Sequence, residues 1–259
     1  MLSDGGPTLY YYANRLQQLP MALISISAST AVFPALLAMG QKGDLGELRG
    51  LHDRTQRGTV FLLLPAAVGL YVLAGPEISV LLEHGEFGAE GVTRATPALK
   101  YLTFALLPGG AALLATRVYI SMGDKRTPVV YSILSMILNT GMNVLFLEGY
   151  GMDIEGLALG TAISSWFHLL LLLHGHRRLG LPKALSGSGG MIFKMVVAAL
   201  VMGWVAGAVE ESLSEAWGQI GALVASILLG ALTYFALAAI LRIPIQKELL
   251  SKLAKRLRR

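Results

Sequence analysis

Glu155-Gly-Leu-Ala-Leu-Gly-Thr-Ala-Ile-Ser-Ser-Trp-Phe-His-Leu-Leu-Leu-Leu-Leu-His-Gly175 decides the fold class. No Asp, Lys or Arg interrupts it after Glu155, and a helix needs roughly 20 such residues to cross the hydrocarbon of a bilayer. Its flanks differ in sign. Glu148 and Asp153 precede it, and Arg177, Arg178 and Lys183 follow. That asymmetry marks a transmembrane helix whose basic end stays in the cytoplasm.

The same pattern repeats along the chain. Apolar stretches at 8–38, 58–75, 95–121, 127–147, 155–175, 190–209 and 217–241 predict about seven transmembrane helices in an all-α polytopic membrane protein. Residues 76–87 are too short to cross and read as a short surface helix or a re-entrant piece. The connecting loops alternate in charge. Lys42, Arg49, Arg54, Arg57, Lys125, Arg126, Arg177, Arg178, Lys183 and the tail Lys247–Arg259 form a basic set. Glu77, Glu83, Glu86, Glu90, Glu148, Asp153, Glu155, Glu210, Glu211 and Glu215 form an acidic set, with Arg94 its lone strong base. The expected orientation is an N-terminus outside and a C-terminus in the cytoplasm.

Composition agrees. Of 259 residues, 54% are hydrophobic and 14% charged, against about 25% charged in soluble domains. Mean hydropathy is +0.61. The absence of cysteine removes disulfides, thiolate metal sites and cysteine nucleophiles. The basic tail reads as a cytoplasmic anchor facing membrane lipids, not as a nucleic-acid surface, because no aromatic residues interleave with it. The first residues lack the charged and apolar regions of a signal peptide and resemble a start inside a longer protein.

Three spans carry polar stripes. At 100° per residue, Arg15, Gln18, Ser25 and Ser29 fall on one face, as do Ser132, Ser135, Asn139 and Asn143, and Thr161, Ser164, Ser165 and His168. Two readings stand: a shared wet cavity, or interhelical hydrogen bonds holding a bundle. The charges in or near spans are Arg15, Lys100, Arg117 and Lys194, all cationic. They suit an anionic ligand such as a phosphate, or they snorkel to the nearest interface. A helix from Thr8 to Ala38 contains Pro20 and Pro34, and Pro20 is placed to kink it below Arg15 and Gln18. Gly156/Gly160 and Gly203/Gly207 are small-xxx-small pairs that permit close packing. His174 and His176 read as an interfacial cluster beside Arg177 and Arg178, with no metal site and no cofactor implied. No HExxH, nucleophile elbow or P-loop is present, so catalysis is not expected.

Several runs resemble one family. Tyr11-Tyr12-Ala13-Asn14-Arg15-Leu16-Gln17-Gln18-Leu19-Pro20 resembles the YYADRLxQLP helix of the MurJ/MviN lipid II flippases. Gly75-Pro76-Glu77-Ile78 with His84-Gly85-Glu86-Phe87 is similar to that family's GPxI…hGxF segment. Arg117-Val118-Tyr119 through Asp124-Lys125-Arg126-Thr127-Pro128 is similar to its RAFYAxxDxxTP loop, and Gly156 to Ser164 to its GLALxTSIS helix. The resemblance implies the C-terminal part, helices eight to fourteen, of a fourteen-helix, two-lobed flippase of the MOP exporter superfamily. It implies lipid II, an undecaprenyl-pyrophosphate-linked peptidoglycan precursor, as cargo moved by alternating access. Residues 1–178 would form the cavity-lining lobe, and 179–259 the two apolar C-terminal helices, which in the family form a groove for the polyprenyl tail, and the basic tail. The substrate-binding set would be Arg15, Gln18, Ser25, Ser29, Asn139 and Asn143, with Lys100, Arg117, Thr161 and His168 behind it. Asn14 and Gln18 stand where family members carry carboxylates. The N-terminal lobe would be a partner, in cis or trans. Alternatives are another MOP exporter, for O-antigen-type lipids or drugs, and a polyprenyl-phosphate membrane enzyme.

Overall fold

The computed structural model describes residues 5–83, 88–176 and 188–246. Among these every regular element is helical. The basic positions 177, 178 and 183, the tail from 247, the 84–87 end of the expected surface helix and the expected domain boundary at 178/179 lie outside the described residues.

The first crossing is α1 (Gly6–Pro20), a π-helical turn (Met21–Ile26) and α2 (Ser27–Lys42), continuous over 37 residues. Pro20 has no N–H to donate back along the helix, and the π turn follows it directly. Pro34 lies inside α2 without a comparable break. The helix ends at Gly43, whose φ of 72° is the left-handed conformation that closes a helix.

Asp44 then starts α3 (Leu45–Val72), its carboxylate accepting from the Glu47 N–H at 3.0 Å. α4 (Ala74–Leu82) turns off the end of α3 at 75°. Together α3 and α4 are long and apolar enough for one broken span or a re-entrant piece, and the nine-residue α4 is shorter than the surface helix expected over 76–87. α5 (Gly88–Ser121) follows, then α6 (Arg126–Val144), which ends in a second π turn (Leu145–Gly149), and α7 (Ile154–His176). α8 (Gly189–Ile240) is broken at Gly218, where φ is 70° and ψ 168°. Counting its two arms, 189–217 and 219–240, as separate crossings gives the seven expected from sequence. The expected loop between them is absent. The helix instead runs on past Glu210, Glu211 and Glu215, and Gly218, free of Cβ strain, makes the turn alone.

α5 is the hub. It packs on α1, α2, α3, α4 and α7, and two-thirds of its crossing window is buried. Leu99, Leu102 and Leu106 join Leu9, Ala13, Leu63 and Ile78 in the largest core cluster. α8 packs on α3 and α4 instead. A Cβ on Gly203 would come within 2.6 Å of Val68 Cγ1, and one on Gly207 within 3.1 Å of Val72 Cγ1. The small-xxx-small pair is therefore the face by which α8 seats on α3. Gly156 and Gly160 do the same against Phe146 and Asn143. The remaining faces of α8, bearing Phe193, Trp204 and Leu228, are exposed and apolar, as lipid-facing helices are.

Candidate functional site

Among the described residues the members of the three polar stripes make different contacts. The π turn inserts an extra residue in the first crossing, so the 100° wheel fails between Gln18 and Ser25. Arg15 and Gln18 are exposed, whereas Ser25 and Ser29 are buried at 2% and 1%. Arg15 stacks its guanidinium 4.9 Å from the Tyr11 ring centroid. Among the described residues no carboxylate pairs with it. Gln17, which faces the core, is buried.

Ser29 meets Arg117. The Arg117 Nε–H donates to Ser29 Oγ at 3.3 Å, and the guanidinium lies 4.7 Å from the Phe33 ring centroid. This half-buried cation of α5 is thus held by α2 rather than reaching freely for an interface. Ser25 Oγ packs against Gly110 and has no hydrogen-bond partner among the described residues.

The stripes of α6 and α7 face each other. Asn139 Nδ2 donates to Ser164 Oγ at 3.1 Å, and Asn143 Nδ2 donates to Asn139 Oδ1 at 3.3 Å. Ser164 Oγ also lies 2.8 Å from the Gly160 carbonyl. Ser132 points away and is exposed. On the other side of α7, the Thr161 hydroxyl pairs with the Tyr10 hydroxyl at 3.1 Å, joining α7 to α1. The hydrogen-bonding reading therefore accounts for Asn139, Asn143, Thr161 and Ser164. His168 is half-buried and its Nε2 is unpartnered. Lys100 Nζ lies 5.5 Å from the Tyr71 ring centroid. Lys194 Nζ donates to the Leu241 carbonyl at 3.1 Å, so it clamps the two arms of α8 at one end.

Arg94, the lone base among acidic loops, binds Asp153 at 3.2 Å and approaches Glu90 at 4.0 Å. It ties α5 to the turn before α7.

Two features had no clear signal in the sequence. One is a cavity of about 330 Å³ between the first crossing, α3, α4 and both arms of α8. Its wall is apolar, with Leu62, Met202 and Phe235, and it contains one carboxylate, Glu77. The other is a buried polar cluster. His174 is exposed, as an interfacial residue would be, but His176 is not interfacial. It is 1% exposed, its ring 5.5 Å from that of His52 on α3 and 5.0 Å from that of Tyr119 on α5. Helix α7 turns His176 inward while His174, two residues back, faces out. Among the described residues no group of three or more His, Asp or Glu is placed to hold a metal.

Comparison with known proteins places this geometry. The family model described as Lipid II flippase MurJ matches residues 1–228. A Vibrio cholerae protein named as a probable lipid II flippase MurJ is 30% identical over 201 residues, covering 78% of this chain and 38% of its own length. A relative of the same name from Bdellovibrio bacteriovorus is 26% identical over 242 residues, with 93% of this chain and 46% of that protein covered. The Rickettsia prowazekii relative is 28% identical over 169 residues, covering 65% of this chain and 33% of the relative. A solved structure titled as lipid II flippase MurJ in an inward closed conformation superposes with a TM-score of 0.76 at 23% identity, over 92% of this chain and 47% of that one. The chain spans a third to about half the length of the relatives it matches. With the matching model, the apolar crossings and the shared helical fold taken together, this multi-pass inner-membrane chain belongs to the MurJ lipid II flippase family.

Proposed function

We propose that the chain is the C-terminal part of a lipid II flippase, acting with a second lobe supplied in the same or a separate polypeptide. The observation that carries this is Arg15. Within a family named for lipid II, it is an exposed guanidinium on a crossing helix with no carboxylate partner among the described residues. An unpaired cation at membrane depth is costly unless it meets water or an anion. A pyrophosphate offers oxygens in the geometry a guanidinium fork binds. Gln18, one turn on, adds a neutral donor. Arg117 and Ser29 form a second polar point deeper in the lobe, and Lys100 a further cation.

In this reading residues 1–178 form the cavity lobe, with the N-terminus periplasmic, and 179–259 add the apolar pair, with the C-terminus cytoplasmic. Asn139 and Asn143 shape the lobe by joining α6 to α7 and Thr161 by joining α7 to α1, while His168 stays with the lower-ranked substrate-binding set. Opposed lobes rocking about a central site would give alternating access.

The test is complementation of flippase-depleted cells by the full-length parent carrying Arg15→Ala, at verified membrane levels. Failure of growth is expected, with partial rescue by Arg15→Lys. Full growth with Arg15→Ala would overturn the assignment. The 259-residue chain expressed alone is expected not to complement.

A further inference from the structure

The cavity between α3, α4 and α8 holds an unexplained charge. Glu77 projects from α4 into a groove whose other lining side chains are apolar apart from the hydroxyls of Ser226 and Tyr234. Both hydroxyls are already committed. Ser226 Oγ donates to the Ala222 carbonyl at 2.7 Å, and Tyr234 OH to the Phe61 carbonyl at 2.8 Å. The Glu77 carboxylate has no hydrogen bond or ion pair among the described residues.

Among the described residues no cation on the surrounding elements is placed to neutralise it. Residues 195–241 contain no Lys or Arg, and 58–99 contain only Arg94, which Asp153 and Glu90 already engage. Lys100 is stacked over Tyr71, and Arg15 over Tyr11. The other charges on α4 and the elbow of α8 are Glu83, Glu210, Glu211 and Glu215, which add negative potential. Ser79, on the same helix, bonds Glu83 and bridges to Gln219 at 3.3 Å, so α4 is fixed against the second arm of α8.

We propose that this groove binds a membrane phospholipid with a primary ammonium head group, its ammonium pairing with Glu77 and one of its chains lying along the apolar wall of α3 and α8. Charge complementarity selects the head: an ammonium supplies a counter-ion that the described residues do not, and an anionic head would be repelled. The apolar lining and the lipid-facing position of Ile227 and Phe235 select the chain.

The full chain, purified in detergent, is titrated with phosphatidylethanolamine or phosphatidylglycerol of identical acyl chains, and bound lipid is counted by native mass spectrometry. Wild type is expected to favour the ethanolamine lipid by about five- to tenfold, the scale of a partly desolvated ion pair. Glu77→Gln, which keeps the shape and removes the charge, should bring the two lipids within about twofold of each other on the same scale. Ala231→Trp, which fills the groove and leaves Glu77 in place, should reduce the bound count for both. Equal binding of both lipids to wild type overturns the proposal. So does an ethanolamine preference that survives Glu77→Gln, or a bound count that Ala231→Trp leaves unchanged.

Discussion

Asn139 on α6 donates to Ser164 Oγ on α7 at 3.1 Å and accepts from Asn143 Nδ2 at 3.3 Å. The two amides and the hydroxyl form one chain between helices that otherwise meet through small residues. α6 has little else to hold it: only 6% of its crossing window is buried. Interhelical hydrogen bonds in membranes average about 0.6 kcal/mol and reach roughly 1.7. Asn139→Ala is expected to lower stability within that range, and Ser164→Ala to do so by less. The pair should show a coupling of about 0.6 kcal/mol in a double-mutant cycle. Unfolding in one fixed detergent measures it, and strict additivity would show that the contact carries no energy.

Gly203 supports a prediction of opposite character. Its Cα faces Val68 across α3, and a Cβ would lie 2.6 Å from Val68 Cγ1. Gly203→Val should separate the first arm of α8 from α3 and cost about 1–3 kcal/mol, as overpacking does. Gly207→Ala, where the nearest contact is 3.1 Å, should cost less. Reversal of that order would mean that Val68 rotates aside freely.

The crossings were legible because lipid demands long apolar runs and charge asymmetry, and both are written in one dimension. The run 155–175 differs from α7 by one residue at each end. What misled was local. The wheel placing Arg15 beside Ser29 assumes 100° per residue throughout, and the π turn at Met21–Ile26 violates it after Pro20. The break in α8 needed a glycine at φ 70°, one among 30 glycines, with nothing in its neighbours to single it out. Glu77 was legible as a charge but not as a groove residue, because the groove is made by helices far apart in sequence. His52 and His176 lie 124 positions apart, counting from 52 to 176, so their contact left no pattern to read.

Asp124 ties the α5–α6 turn to the start of α6. Gly123, at φ 82°, turns the chain, and Asp124 Oδ1 then accepts from the N–H groups of Thr127 at 3.0 Å and Arg126 at 3.2 Å. The Thr127 side chain and these N–H groups hold the carboxyl below its usual value. A carboxyl depressed in the folded state stabilises above its unfolded pKa of about 3.9, and that contribution is lost as pH falls through the folded value. Asp124→Ala should cost about 0.5–2 kcal/mol at neutral pH, as loss of a helix cap does, and should narrow the gap to wild type in acid. Midpoints measured at pH 7 and pH 3 test the sign. A gap that widens in acid contradicts it.

His52 is 4% exposed, and among the described residues neither ring nitrogen has a hydrogen-bond partner. Gln56 Oε1, one turn on, and His176 Nε2, on the facing ring, are also buried and unpartnered. Leaving a buried polar group unsatisfied costs about 1–3 kcal/mol, whereas an apolar group of like shape avoids that cost. His52→Leu should therefore leave stability unchanged or raise it by up to about 2 kcal/mol. His52→Ala should lower it instead, because the ring packs edge-on against His176 and its removal opens a cavity. The two substitutions separate polarity from volume. If both destabilise equally, the ring nitrogens make bonds through buried water, and the cluster is a satisfied network that joins α3 to α7. If leucine alone is tolerated, His52 serves only as filling at the end of α3.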